Sequence, residues 1–406
     1  MTAGKMTAAK FIPIAALAGA LLFSMGCGGS GSNSKPNTIA TPTSNVQAVT
    51  VNSGPAGNYV NGPFTSVTVC TPGTSTCQTI DGVLVDTGSS GLRLLSSALT
   101  VSLTQQTSSG GNPVVECFPF VSGVTWGPVQ TADVQIAGEK ASSVPVQVIS
   151  GTDFAIPGSC SDQGPAENTL AALGANGILG VGNFAQDCGG ACVSSGPRNP
   201  AVYYQCPSAG CVVSGEALAQ QVPNPVTMFS TDNNGVILEL PAVTAPEVSV
   251  TGSLVFGIGT QSNNALNGAS VYTLDGSGNF STTFKGQAYN QSFLDSGSNG
   301  LYFLSSGVTG IAVCPDASFF YCPASTENLS ATNQGANGTS GTVNFSVANA
   351  DNLFNNNSTA SVLVNLAGPN SLDGFDWGLP FFFGRNVYTA IEGMSTPGGS
   401  GPYWAY

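Results

Sequence analysis

Two stretches of the chain nearly repeat one another: "DTGSSGLRLLSSALT", Asp86 to Thr100, and "DSGSNGLYFLSSGVT", Asp295 to Thr309. Aligned without gaps they agree at nine of fifteen positions, and they lie 209 residues apart. Each copy follows an apolar run, "GVLV" or "QSFL", and leads into another. A duplicated strand–turn–strand with an acid at the turn restricts the fold more than any other feature. It calls for two equivalent halves, each placing one carboxyl at the end of a strand.

The rest of the chain is consistent with such halves. Apolar runs recur ("FTSVTV", "GVLVD", "ADVQIAG", "VPVQVI", "GVILEL", "GSLVFGIG", "TVNFSV"), bounded by Gly, Pro, Asn and Ser. This predicts strands, with no helix of useful length beyond the N-terminal segment. "TLAALGANGILG", ending at Gly180, predicts one short helix or turn, and Glu216–Val226 reads as a connector. The polar stretch Ser325–Gly341 reads as a long surface loop. The expected fold is all-β, with a first lobe over residues 46–221 and a second over 222–406, related by a pseudo-two-fold axis. A chain of 406 residues is long enough for two cores.

Histidine is absent, which excludes Ser-His and Cys-His catalysis and every His-ligated metal. With 21 acids against 8 bases there is no basic surface for nucleic acid. Acid–base chemistry falls to carboxylates. In the doubled motif, Gly88 and Gly297 let the chain turn tightly behind Asp86 and Asp295. The hydroxyls of Thr87 and Ser296 can reach across to the opposite copy. Those of Ser89 and Ser298 can bond the outer carboxylate oxygen. Two such loops face to face bring two carboxyls together, and like charges that close share one proton. The ionised member can activate water while the protonated one polarises a carbonyl. Asp295–Gly300 fails as a calcium loop, because Gly297 stands at the third ligand position and Ser306 where a bidentate Glu is needed. A glycosidase also uses two carboxylates, but three Trp supply little of a sugar platform. No cofactor or metal is expected.

The doubled loop resembles that of the pepsin-like aspartic peptidases, two-lobed β proteins with one Asp-Thr/Ser-Gly loop per lobe. The chain also resembles a group of bacterial lipoproteins that carry the same doubled loop. "NGPFTSVTVCTPGTSTCQTIDGVLVDTGSSGL" is similar to the start of the family's first lobe. "NGILGVG" and "DWGLPFFFGRNVYTAIEG" are similar to the apolar-Gly segments behind each acid loop. The resemblance implies an aspartic endopeptidase acting on polypeptides through Asp86 and Asp295. The competing reading keeps the fold as a catalytically silent peptide- or glycan-binding lipoprotein. Two positions depart from the family together. Arg93 stands where a Trp is usual, and the flap segment "CFPFVSGVTWG" has no Tyr, leaving Phe120 or Trp126 as flap candidates. Arg93 reads as a strand-edge residue or flap partner, and Asp376 as structural.

The N-terminus reads as an export signal over residues 1–26. Lys5 and Lys10 precede an apolar stretch of 16 residues, Phe11–Gly26, against the roughly 20 of a spanning helix. Cys27 resembles the lipidated Cys of a lipobox, and residues 27–45 read as a flexible tether. A monomer anchored in the cell envelope is expected, at the outer membrane by analogy of Gly28 after the lipid Cys, with its globular part in the periplasm or at the cell surface. Ten cysteines remain for an oxidising compartment. Cys70/Cys77 and Cys314/Cys322 each flank a short turn and are candidate clips. The pairing of Cys117, Cys160, Cys188, Cys192, Cys206 and Cys211 stays open, and the last four also have a spacing that could mimic a zinc ribbon.

Overall fold

A computed structural model describes residues 37–370 and 372–406. The expected export signal, Cys27 and the first part of the tether lie outside the described residues. Residues 37–45, expected as tether, are instead held against the sheet. Ala40 N–H donates to Glu239 Oε2 at 2.7 Å, and Asn45 is fully buried.

The chain is all-β, as the short bounded runs require. A 16-stranded sheet passes through both halves, and a 7-stranded sheet belongs to the second half. The longest described helix is Ala350–Asn356, whose first turn is capped by the Asn349 side chain. The predicted short helix is Leu170–Leu173, capped by Thr169 and ended by Gly174 at φ 79°.

Both copies of the motif are built the same way. The strand Cys77–Asp86 runs parallel to Gly177–Val181, placing Asp86 beside Gly180. Ser90–Leu95 runs antiparallel to the other edge of that strand, with Arg93 opposite Ile178. In the second copy Gln287–Leu294 runs parallel to Phe375–Trp377, and Leu301–Phe303 antiparallel to it, with Tyr302 opposite Asp376. Each acid turn therefore does not close a hairpin. A later apolar strand is inserted between its two arms, and the acid sits at the mouth of that insertion. Glycine follows from the close packing: a Cβ on Gly378 would lie 2.1 Å from the Gly300 carbonyl oxygen.

The halves are joined by Val46–Asn52, which pairs with Val250–Phe256. One apolar core runs beneath both motifs, including Val85, Leu92 and Leu179 from the first and Leu294, Phe303 and Trp377 from the second.

The expected surface loop over Ser325–Gly341 is a hairpin instead, Glu327–Gln334 against Ser340–Val347. Its inward positions include a polar residue, so hydropathy does not alternate. Asn333 is fully buried, accepting from Thr282 Oγ1 at 2.8 Å and donating to the Tyr406 hydroxyl at 3.0 Å.

The two cysteine clips are present, Cys70–Cys77 and Cys314–Cys322. The pairings left open are Cys117–Cys160, Cys188–Cys192 and Cys206–Cys211. The last two take up all four cysteines of the zinc-ribbon spacing and leave no thiolate for a metal.

Candidate active site

The two acid turns meet at the centre of the molecule. Thr87 N–H donates to Ser296 Oγ at 3.1 Å, and Ser296 N–H donates to Thr87 Oγ1 at 2.9 Å. Each hydroxyl also donates onward to the opposite strand, Thr87 to the Leu294 carbonyl at 3.3 Å and Ser296 to the Val85 carbonyl at 2.8 Å. Four turn groups that a strand end would leave unpaired are thus satisfied across the pseudo-two-fold axis.

Behind this cross-link each carboxyl is held alike. Gly88 N–H donates to Asp86 Oδ1 at 2.8 Å and Gly297 N–H to Asp295 Oδ1 at 2.7 Å. Ser89 Oγ donates to Asp86 Oδ2 at 2.5 Å, and Ser298 Oγ lies 2.9 Å from Asp295 Oδ2. Each carboxyl packs on the other copy's glycine. A Cβ on Gly88 would lie 2.6 Å from Asp295 Cγ, and one on Gly297 would lie 2.8 Å from Asp86 Oδ1 and 3.1 Å from Asp295 Oδ1. The two carboxyls are within hydrogen-bonding reach of each other. Desolvation, then the charges of Asp86 and Asp376, push Asp295 well above the usual carboxylate range. Burial and the facing carboxyls thus favour the protonated form of Asp295. A carboxyl pair so arranged can take a proton from one oxygen and give one to another across a single small gap.

The flap segment forms the hairpin Val114–Pro119/Val124–Ile136. Phe120 sits at its turn, edge-on to Phe118 with ring centroids 5.0 Å apart. Trp126, the other flap candidate, points away into the core. It is fully buried, packs on Tyr204 and donates its indole N–H to the Phe154 carbonyl at 2.9 Å. Its place in the sequence segment suits a flap, but its side chain belongs to a core cluster with Val115, Cys117 and Tyr204.

Arg93 is not at a strand edge. It is fully buried on a central strand, its guanidinium 3.6 Å from the centre of the Phe118 ring. It pairs with Glu116 at 2.7 Å and Asp187 at 3.0 Å. The Tyr203 hydroxyl donates to Asp187 and accepts from Val222 N–H at 2.7 Å. Burial, then the neighbouring Glu116, hold Asp187 well above the usual range, against the pull of Arg93. Glu116, Asp187 and Tyr203 come from distant segments, and no sequence signal ties them to Arg93. Tyr59 is also illegible in the sequence. It packs edge-on to Phe64, and burial together with the charges of Glu167, Asp86 and Asp295 raises its phenol.

Beside the Asp86 turn lies a cavity of about 370 Å³, walled by Gly88, Ser89, Phe118, Phe184, Asp187 and Phe293.

Residues 41–406 match the DUF3443 family, described as a protein of unknown function. The chain belongs to that family. No curated protein matches the sequence. Among solved structures, this DUF3443 chain is similar to an aspartic proteinase from Irpex lacteus, with a TM-score of 0.52 and 16% identity, over 89% of this chain and 96% of that one. The DUF3443 chain thus has the pepsin-like, two-lobed fold, with its cleft between the lobes.

Proposed function

We propose that this protein is an aspartic endopeptidase in which Asp86 and Asp295 activate a water molecule against a peptide bond. The observation that carries the reading is the facing pair of carboxyls, held by two matching turns and packed glycine to carboxyl. Ionised Asp86 takes a proton from water as its oxygen attacks the carbonyl carbon, while Asp295 gives its proton to the carbonyl oxygen. The tetrahedral diol collapses as Asp86 returns a proton to the leaving nitrogen and Asp295 recovers one from a hydroxyl, breaking the C–N bond. Thr87, Gly88 and Ser89, with Ser296, Gly297 and Ser298, hold the pair. The aromatic walls of the cavity beside Gly88 suit an apolar substrate side chain. Phe120 supplies the flap tip in place of Tyr, and buried Arg93 braces the flap strand from below through Phe118.

The lobes are read as 46–221 and 222–406. The polypeptide substrate is met outside the cytoplasm, where five disulfides persist, on a monomer tethered through lipidated Cys27, most readily at the outer membrane.

The test is cleavage of a diverse peptide library by disulfide-bonded protein across the acidic range, with Asp86→Asn and Asp295→Asn as controls. Turnover by the wild type that both variants lose supports the reading. Absent turnover, with equal binding of a peptide or glycan by all three proteins, replaces it with the silent binding protein.

A further inference from the structure

The two acid turns hold their carboxyls alike but differ at one serine. Ser298 Oγ lies 2.9 Å from Asp295 Oδ2 and also 2.7 Å from Asp376 Oδ2. The first copy has no third acid there, because the position opposite Arg93 is Ile178 whereas the one opposite Tyr302 is Asp376. Asp376 is buried, and its Oδ1 has no hydrogen-bond partner. Both ion pairs among the described residues belong to Arg93, not to Asp376.

A serine hydroxyl has one hydrogen. It can serve one of the two carboxyls, and the other must bring its own. An ionised Asp376 would bury a charge with an orphaned oxygen and no cation, while a neutral Asp376 leaves only a carbonyl oxygen unpaired. We propose that Asp376 is a positioning residue of the Asp86/Asp295 centre: its protonated Oδ2 donates to Ser298 Oγ, which directs the serine hydrogen to Asp295 Oδ2. This rests on the peptidase reading for its consequence, though not for its chemistry. With Oδ2 of Asp295 occupied by the serine hydrogen, a proton held by Asp295 is confined to Oδ1. Ser89 needs no such help, since its hydroxyl is given to one carboxyl, at Asp86 Oδ2.

Burial and the charge of Asp86 favour the neutral form of Asp376, against the pull of the Ser298 hydroxyl. Asp295 lies beyond Ser298, Asp86 lies across the axis, and Tyr302 stands opposite on the antiparallel strand. Burial is the largest cause, and it pushes Asp376 up to about 8.

Two substitutions and an infrared measurement test this. Asp376→Ile, which copies the first lobe, should lower kcat about tenfold, the scale of one hydrogen bond to a reacting group, with KM little moved. Asp376→Asn restores a donor to Ser298 and should recover most of that loss. Infrared spectra at neutral pH should lose one protonated-carboxyl band on Asp376→Asn. The Asp86→Asn/Asp295→Asn double variant should keep that band. The proposal is overturned if Asp376→Asn loses as much kcat as Asp376→Ile, or if no protonated-carboxyl band disappears with it. The infrared result stands whether or not the protein cleaves peptides, so failure of the peptidase reading is told apart from failure of this one.

Discussion

Thr87 and Ser296 exchange backbone hydrogen bonds across the molecular centre, each amide donating to the other's hydroxyl, at 3.1 and 2.9 Å. The contact ties two turns 209 residues apart. Replacing either hydroxyl leaves a buried N–H and a buried carbonyl without partners. Thr87→Val or Ser296→Ala should each cost about 1–3 kcal/mol of stability. The double variant should cost less than the two losses combined, because they share partners. Chemical denaturation of the four proteins measures this.

Gly88 and Gly297 are fixed by the opposing carboxyl rather than by their own backbone angles. A methyl at either position meets an acid at under 3 Å. Gly88→Ala and Gly297→Ala should separate the carboxyls and reduce kcat/KM on the order of 10²-fold, as displacements of about 1 Å do. Steady-state kinetics with circular dichroism as a folding control reads the effect.

Arg93 neutralises part of a buried acidic pair. Removing it with Arg93→Met leaves Glu116 and Asp187 facing each other without a cation. The expected loss is about 3–5 kcal/mol at neutral pH, the range for breaking one side of a buried ion pair. The loss should shrink at acid pH as Asp187, whose carboxyl is raised, takes up a proton, which thermal melts at two pH values would detect.

Several buried acids hold protons more tightly folded than unfolded. Asp376 rises from 3.8 to about 8 and Glu239 from 4.5 to about 7, both chiefly through burial. Between those limits the native state binds more protons than the unfolded chain, so stability falls as pH rises. The contribution is full below 3.8 and lost by about 8. The melting temperature should therefore be higher near pH 4 than at pH 8, a trend that Asp376→Asn and Glu239→Gln together should flatten.

Anchoring has its own test. Metabolic labelling with a fatty-acid analogue should mark the wild type and not Cys27→Ala, which should leave the membrane fraction. An unlabelled wild type released intact would rule the anchor out.

The repeated turn carried much of this protein in its letters. Acid, hydroxyl, glycine and serine recur at the same spacings, and backbone chemistry determines what each can do locally. The all-β class was legible because most strands are short apolar runs. The Glu327–Val347 hairpin was not, because buried Asn333 is satisfied by hydrogen bonds that hydropathy does not register. The two short cysteine clips followed from nearby turns, whereas Cys117–Cys160 spans 43 residues and depends on packing. Tertiary structure alone decided the surroundings of the pair. It sent Trp126 into the core, buried Arg93 between Glu116 and Asp187, and set Asp376 against Ser298 in one lobe where Ile178 stands in the other. Local sequence specifies a turn, because a turn's hydrogen bonds lie within a few residues. It cannot specify which distant side chain desolvates a carboxyl, and that neighbour determines where the proton rests.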